Sequence, residues 1–133
     1  MKRYLFACGA LLLAASGVLA HHSYAMFDAD KTLTIAGAVK EFKWSNPHAW
    51  LEVNVPNDAG GVDVWGVEMN SPNNLVRQGW RASSLKPGDK VKVTMHPMRD
   101  GTKGGSFMSV ELPDGKVLGT PPSASTTEKK ASN

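Results

Sequence analysis

Apolar residues recur at every second position in five segments, a single short helix signal falls between the third and fourth, and the alternation changes phase inside the first. These observations predict an all-β domain with one short helix. The order matches a small five-stranded OB-like barrel, whose helix fills the gap between the third and fourth strands. A small β-sandwich carrying one helix has the same order and is the alternative.

The first segment runs from Thr32, with Leu33, Ile35, Gly37 and Val39 on one face. Phe42 and Trp44 then take the opposite parity. A one-residue phase change within a long strand predicts a β-bulge and a sharp bend. Ser45-Asn46-Pro47 ends the segment with turn chemistry. In the second segment Ala49, Leu51, Val53 and Val55 alternate with Trp50, Glu52 and Asn54, and Pro56 to Gly61 connects it as a hairpin to a third segment over Val62 to Met69. For the helix, Ser71 suits the cap, Pro72 the first helical position and Gly79 the position just past the end. After the Leu85 to Asp89 turn, a fourth strand puts Val91, Val93 and Met95 on one face. Arg99 to Gly105 reads as a glycine-rich loop, Phe107 to Leu112 as the fifth strand, and Lys116 to Leu118 as a short extra segment.

The first twenty residues have the three parts of an export signal. Lys2 and Arg3 supply the positive start, an apolar run extends from Tyr4, and Val18-Leu19-Ala20 offers a cleavage site. Cys8 is the chain's one cysteine and leaves with this segment. Cleavage after Ala20 therefore yields a cysteine-free chain with neither disulfide nor thiolate chemistry. The division expected is a signal over 1–20, a barrel domain over 21–118 and a disordered Pro-, Ser-, Thr- and Lys-rich tail over 119–133. Localisation is periplasmic or secreted, with no membrane association once the signal is removed. The precursor's formal charge of +3 falls when Lys2 and Arg3 are lost. No basic patch then remains to suggest a nucleic-acid partner.

The segments HHSYAMFD, GAVKEFKWSNPHAWLEV, WGVEMNSPNNLVRQGW and SLKPGDKVKV, as a set, resemble a family of short exported bacterial proteins of unknown function. The likeness covers about His21 to Leu118. It implies export and a small β-barrel-like domain, and it supplies neither an activity nor site residues, which have to be argued from chemistry.

The sharpest chemical feature is positional. Cleavage after Ala20 makes His21 the amino-terminal residue and His22 the second. A terminal amine, of pKa ~7.7–8.0, together with the His21 imidazole forms a chelate. His22 offers a competing one through its backbone nitrogen and ring. Nitrogen-rich sites of this kind suit Cu(II), and imidazole also suits zinc. His48 and His96, the remaining histidines, are candidates for a further ligand. Against these readings, His21 and His22 can simply be solvated, His48 can be a turn residue bonded to backbone, and His96 shares the outward parity of Lys90, Lys92 and Thr94. Met69, Met95 and Met108 fall at expected core positions, so they read as packing residues rather than Cu(I) ligands.

Glu68 lies in an apolar run and needs a partner, for which Arg77 and Arg81 are the candidates. Trp50 takes the polar face of its strand beside Glu52 and Asn54, where an exposed aromatic can hold a ligand. No hydrolase, zinc-protease or phosphate-loop motif occurs, so nothing motivates an enzyme and no catalytic residue is assigned. Two functions follow as expectations. The first is an exported module binding copper or zinc through His21, His22, His48 and His96. The alternative is a metal-free module that takes a small molecule, glycan or protein partner on a barrel face at Trp50, Glu52 and Glu68.

Overall fold

The computed structural model describes residues 24–123. Alternation of buried and exposed side chains builds six strands: β1 (Leu33–Lys43), β2 (Trp50–Pro56), β3 (Val62–Glu68), β4 (Lys90–Pro97), β5 (Gly104–Glu111) and β6 (Val117–Gly119). One helix, α1 (Pro72–Arg77), separates β3 from β4. The strands lie in the order β3-β2-β1-β4-β5-β6, and a parallel pairing of β3 with β5 closes the first five into a barrel. This is the expected OB-like barrel; closure of one sheet on itself replaces the sandwich alternative.

Two bulges give the curvature that closure needs. In β1 the register against β2 slips between Val39 and Glu41, at the predicted phase change, leaving Lys40 as the extra residue. In β4–β5 it slips between Thr94 and Met95, so that Ser109 and Phe107 pair while Met108 is the extra residue. Met108 is accordingly half-buried rather than a core residue, whereas Met69 and Met95 are buried as expected. Closure also depends on close backbone approach. A Cβ on Gly104 would stand 2.5 Å from the Gly66 oxygen, and one on Gly105 would stand 2.3 Å from the His96 oxygen. Gly104 and Gly105 thus begin β5 and are not part of the preceding loop, where sequence reading had put them. Their lack of side chains lets three strands meet.

The inward faces of Ile35, Val39, Leu51, Val53, Val67, Val91, Val93, Met95 and Val110 form the core. Helix α1 begins where expected: the Ser71 side chain caps it and Pro72 opens it. It ends with Gly79 at φ +88°, the Gly79 amide bonding to Val76 O and the Trp80 amide to Leu75 O. This pair of reversed bonds at a left-handed glycine turns the chain back onto the barrel. Leu75 and Trp80 enter the core as a result, each 1 % exposed, and Trp80 packs against Phe42 and Phe107 at 5.9 and 5.4 Å between ring centres.

The sheet runs slightly beyond the expected domain boundary at Leu118, because Gly119 belongs to β6 and the Thr120 amide bonds Met108 O. The predicted signal, His21 and His22, and the tail from residue 124 lie outside the described residues.

Candidate functional site

Strand register places a row of polar and aromatic side chains across one end of the barrel. Lys43 on β1 pairs with Trp50 on β2, Trp50 with Glu68 on β3, Glu68 with Ser106 on β5, and Ser106 with His96 on β4. Residues directly paired between strands share a face. The next residues along three of these strands, Leu51, Val67 and Met95, are buried, so the row faces outward.

His48 sits two residues ahead of Trp50 and bonds through Nδ1 to Glu68 Oε1. Its backbone is held on both sides: Ser45 Oγ donates to His48 O, and Ala49 exchanges bonds with Asn70 O and the Met69 amide. A carboxylate accepts, so Nδ1 is the donor, and in the neutral imidazole Nε2 keeps its lone pair. The side chains of His48 and Glu68 are 29 % and 15 % exposed. The pairing expected for Glu68, with Arg77 or Arg81, does not form: the Arg77 guanidinium instead donates to Asn74 Oδ1. A signal for the true partner was available in the hairpin. With its turn at Asn57 to Gly61, Glu68 has to lie opposite Trp50, close to His48.

His96 is half-buried, and its Nδ1 donates to the Lys31 carbonyl at 2.8 Å, again leaving Nε2 as the acceptor. It stands two strand spacings from Glu68, about 10 Å along the sheet. Next to it the start of the described chain is fastened down. A short 3-10 turn over Tyr24–Met26 leads to Phe27, which is buried and bridges to Met98. The Asp28 amide bonds Pro97 O at 2.8 Å, the Arg99 amide bonds Met26 O at 2.9 Å, and Arg99 Nε donates to Ala25 O at 3.0 Å. The Asp28 carboxylate meets Lys31 at 2.9 Å and Arg99 at 3.7 Å. Chiefly through the hydrogen bond from Lys31, its carboxyl is held below the usual carboxylate range. This clasp was not legible in the sequence, because its partners are 71 positions apart and no pattern links them.

Trp50 is 42 % exposed, in keeping with its polar-face parity. Glu52 is bonded to Lys40 at 2.8 Å, and that bond holds its carboxyl low. Glu41, Lys43, Trp50 and Glu52 line a shallow depression. The structure thus brings His48, Glu68 and Trp50 into one corner, puts His96 farther along the same rim, and sets Glu52 beside the corner. Among the described residues, no three His, Cys, Asp or Glu side chains cluster as a metal site.

A search of curated proteins finds no match to this chain. Among solved structures, the chain is similar to the mitochondrial single-stranded DNA binding protein Rim1 of S. cerevisiae. The TM-score is 0.46 at 13 % identity, covering 62 % of this chain and 93 % of that one. The model of a family of unknown function, DUF6152, matches residues 10–107. The chain belongs to the DUF6152 family.

Proposed function

We propose that the protein is an exported binding module that acts in the periplasm or outside the cell after loss of residues 1–20. It holds a transition metal, copper before zinc, between its mature amino terminus and a histidine of the barrel rim. The observation that carries this reading is the His48–Glu68 pair. A carboxylate that accepts a hydrogen bond from one ring N–H fixes the tautomer of the imidazole and the orientation of its other nitrogen, which is how proteins prepare a histidine to ligate a metal. Such a ligand comes from a stiff strand end and complements the terminal amine and the His21 and His22 rings. Nitrogen donors of this kind favour Cu(II).

The clasp supports the same reading from the other direction. It holds the chain from Ala25 onward, beside the end of β4, and the four residues back to His21 span at most ~14 Å. His96, with its free Nε2, stands at that end of β4 and is the other rim histidine available. The test is a Cu(II) titration of protein that begins at His21, alongside His48→Ala, His96→Ala and Glu68→Gln. Loss of the rim ligand should weaken binding to that of a free His-His peptide, and Glu68→Gln should weaken it about tenfold. Equal affinity in all four proteins would remove the barrel from the site.

A second reading rests on the exposure of Trp50 beside the Lys40–Glu52 pair. In it the same corner binds a small molecule, glycan or protein partner without metal. Quenching or shift of Trp50 fluorescence by such a ligand in chelator-treated protein distinguishes it from the first.

A further inference from the structure

We propose that the open edge of β3 is a self-association surface, on which a second copy of this chain adds its own β3 as an antiparallel strand. The pairing of β3 with β5 begins only at Gly66, so Val62 to Trp65 have a neighbour on one side alone among the described residues. The direction of their backbone groups follows from two bonds. The Gly66 amide points away from β2, to Lys103 O, and the Asn57 amide bonds Gly61 O across the hairpin. Backbone groups alternate sides along a strand. Asp63 and Trp65 therefore bond to β2, while the N–H and C=O of Val62 and Val64 face the open edge. Pro56, the partner of Val62, agrees with this assignment because it has no N–H to give.

Two edge-facing residues spaced by two make a self-complementary unit. Around a two-fold axis at Asp63, Val62 of one copy pairs with Val64 of the other, and the reverse, giving four backbone hydrogen bonds. The side chains agree with the backbone. Val62 and Val64 are 59 % and 43 % exposed on the outer face, and they would meet as cross-strand Val–Val pairs. The two Asp63 residues would face each other at the non-bonded position. Each is already neutralised by Lys103 at 2.7 Å and bonded by Asn57 at 3.1 Å, which removes the repulsion that like charges would otherwise bring. An edge with two exposed valines, whose one central charge, Asp63, is neutralised by Lys103, is the kind that proteins otherwise protect.

The experiment is sedimentation equilibrium on the mature chain between 10 µM and 1 mM, with Val64→Pro and Lys103→Ala as variants. Wild type should show a concentration-dependent dimer. Val64→Pro deletes two of the four bonds at an edge position where proline is tolerated, and should weaken the dimer at least about tenfold. Lys103→Ala should weaken it as well, and more so at low salt, by leaving two Asp63 carboxylates face to face. Circular dichroism of both variants checks that the barrel is intact. A wild-type monomer at 1 mM overturns the proposal, as does a dimer indifferent to Val64→Pro. If the protein is monomeric but its Val62 and Val64 amides shift with an alternating Val-Thr hexapeptide, the edge belongs to a foreign strand and the second copy is excluded.

Discussion

Replacing Gly105 by alanine should be among the most damaging single-methyl changes in this barrel. The added Cβ would stand 2.3 Å from His96 O and 2.8 Å from the Met95 side chain, where real Cβ contacts essentially never fall below 3.0 Å. Met95 can rotate, but the His96 oxygen belongs to the backbone of β4. The two strands must therefore separate by roughly 0.7 Å or more. Overpacking of this kind costs ~1–3 kcal/mol, and the strained ladder between Pro97–Gly105 and His96–Ser106 adds about 1 kcal/mol for each bond lost. The expected total is ~2–4 kcal/mol, or about 10–25 °C in Tm for a domain of this size. Gly66→Ala is the matched control on the neighbouring strand. Its Cβ meets nothing closer than Trp50 Cζ3 at 3.9 Å and its φ is not positive, so it should change stability by less than about 1 kcal/mol. Urea denaturation of the two variants decides the matter. Equal effects, or a Gly105→Ala protein within about 0.5 kcal/mol of wild type, would refute the claim that backbone approach at Gly104-Gly105 closes the barrel.

Trp80 Nε1 is buried without a hydrogen-bond partner among the described residues. Trp80→Phe removes this unsatisfied group while keeping aromatic contact with Phe42 and Phe107, and should cost well under the ~3–5 kcal/mol expected of Trp80→Ala in thermal unfolding. At the clasp, the depressed pKa of Asp28 means that its stabilising contribution is present above the ordinary carboxylate range and is lost as pH falls through the folded-state pKa. Hydrogen exchange at the Asp28 and Arg99 amides should accelerate on the acid side, and Asp28→Asn should show fast exchange at neutral pH with little further acid dependence.

Much of the fold was legible because its signals are local. The alternation of Leu51 and Val53 against Trp50 and Glu52, the phase change that became the Lys40 bulge, and the Ser71-Pro72 to Gly79 helix all depend on neighbours in sequence. What was missed depends on approach between distant segments. Gly104 and Gly105 look like loop glycines until β3 and β4 are seen to press on them. Met108 keeps core parity in the sequence but loses it at a bulge that no local pattern announces. The same holds at the site. His48 and Glu68 each stood out alone, yet their pairing needed the hairpin register, and the clasp of Asp28 with Arg99 needed the closed barrel.

The central claim is that a folded metal site joins the mature amino terminus to the barrel rim. The most direct measurement is Cu(II) affinity with EPR on protein beginning at His21, compared with the same chain extended by one methionine. The account predicts one-to-one binding much tighter than a free His-His peptide, nitrogen hyperfine lines from amine and imidazole, and a marked loss of affinity in the extended form. Peptide-like affinity, or binding unaffected by the added methionine, would contradict it.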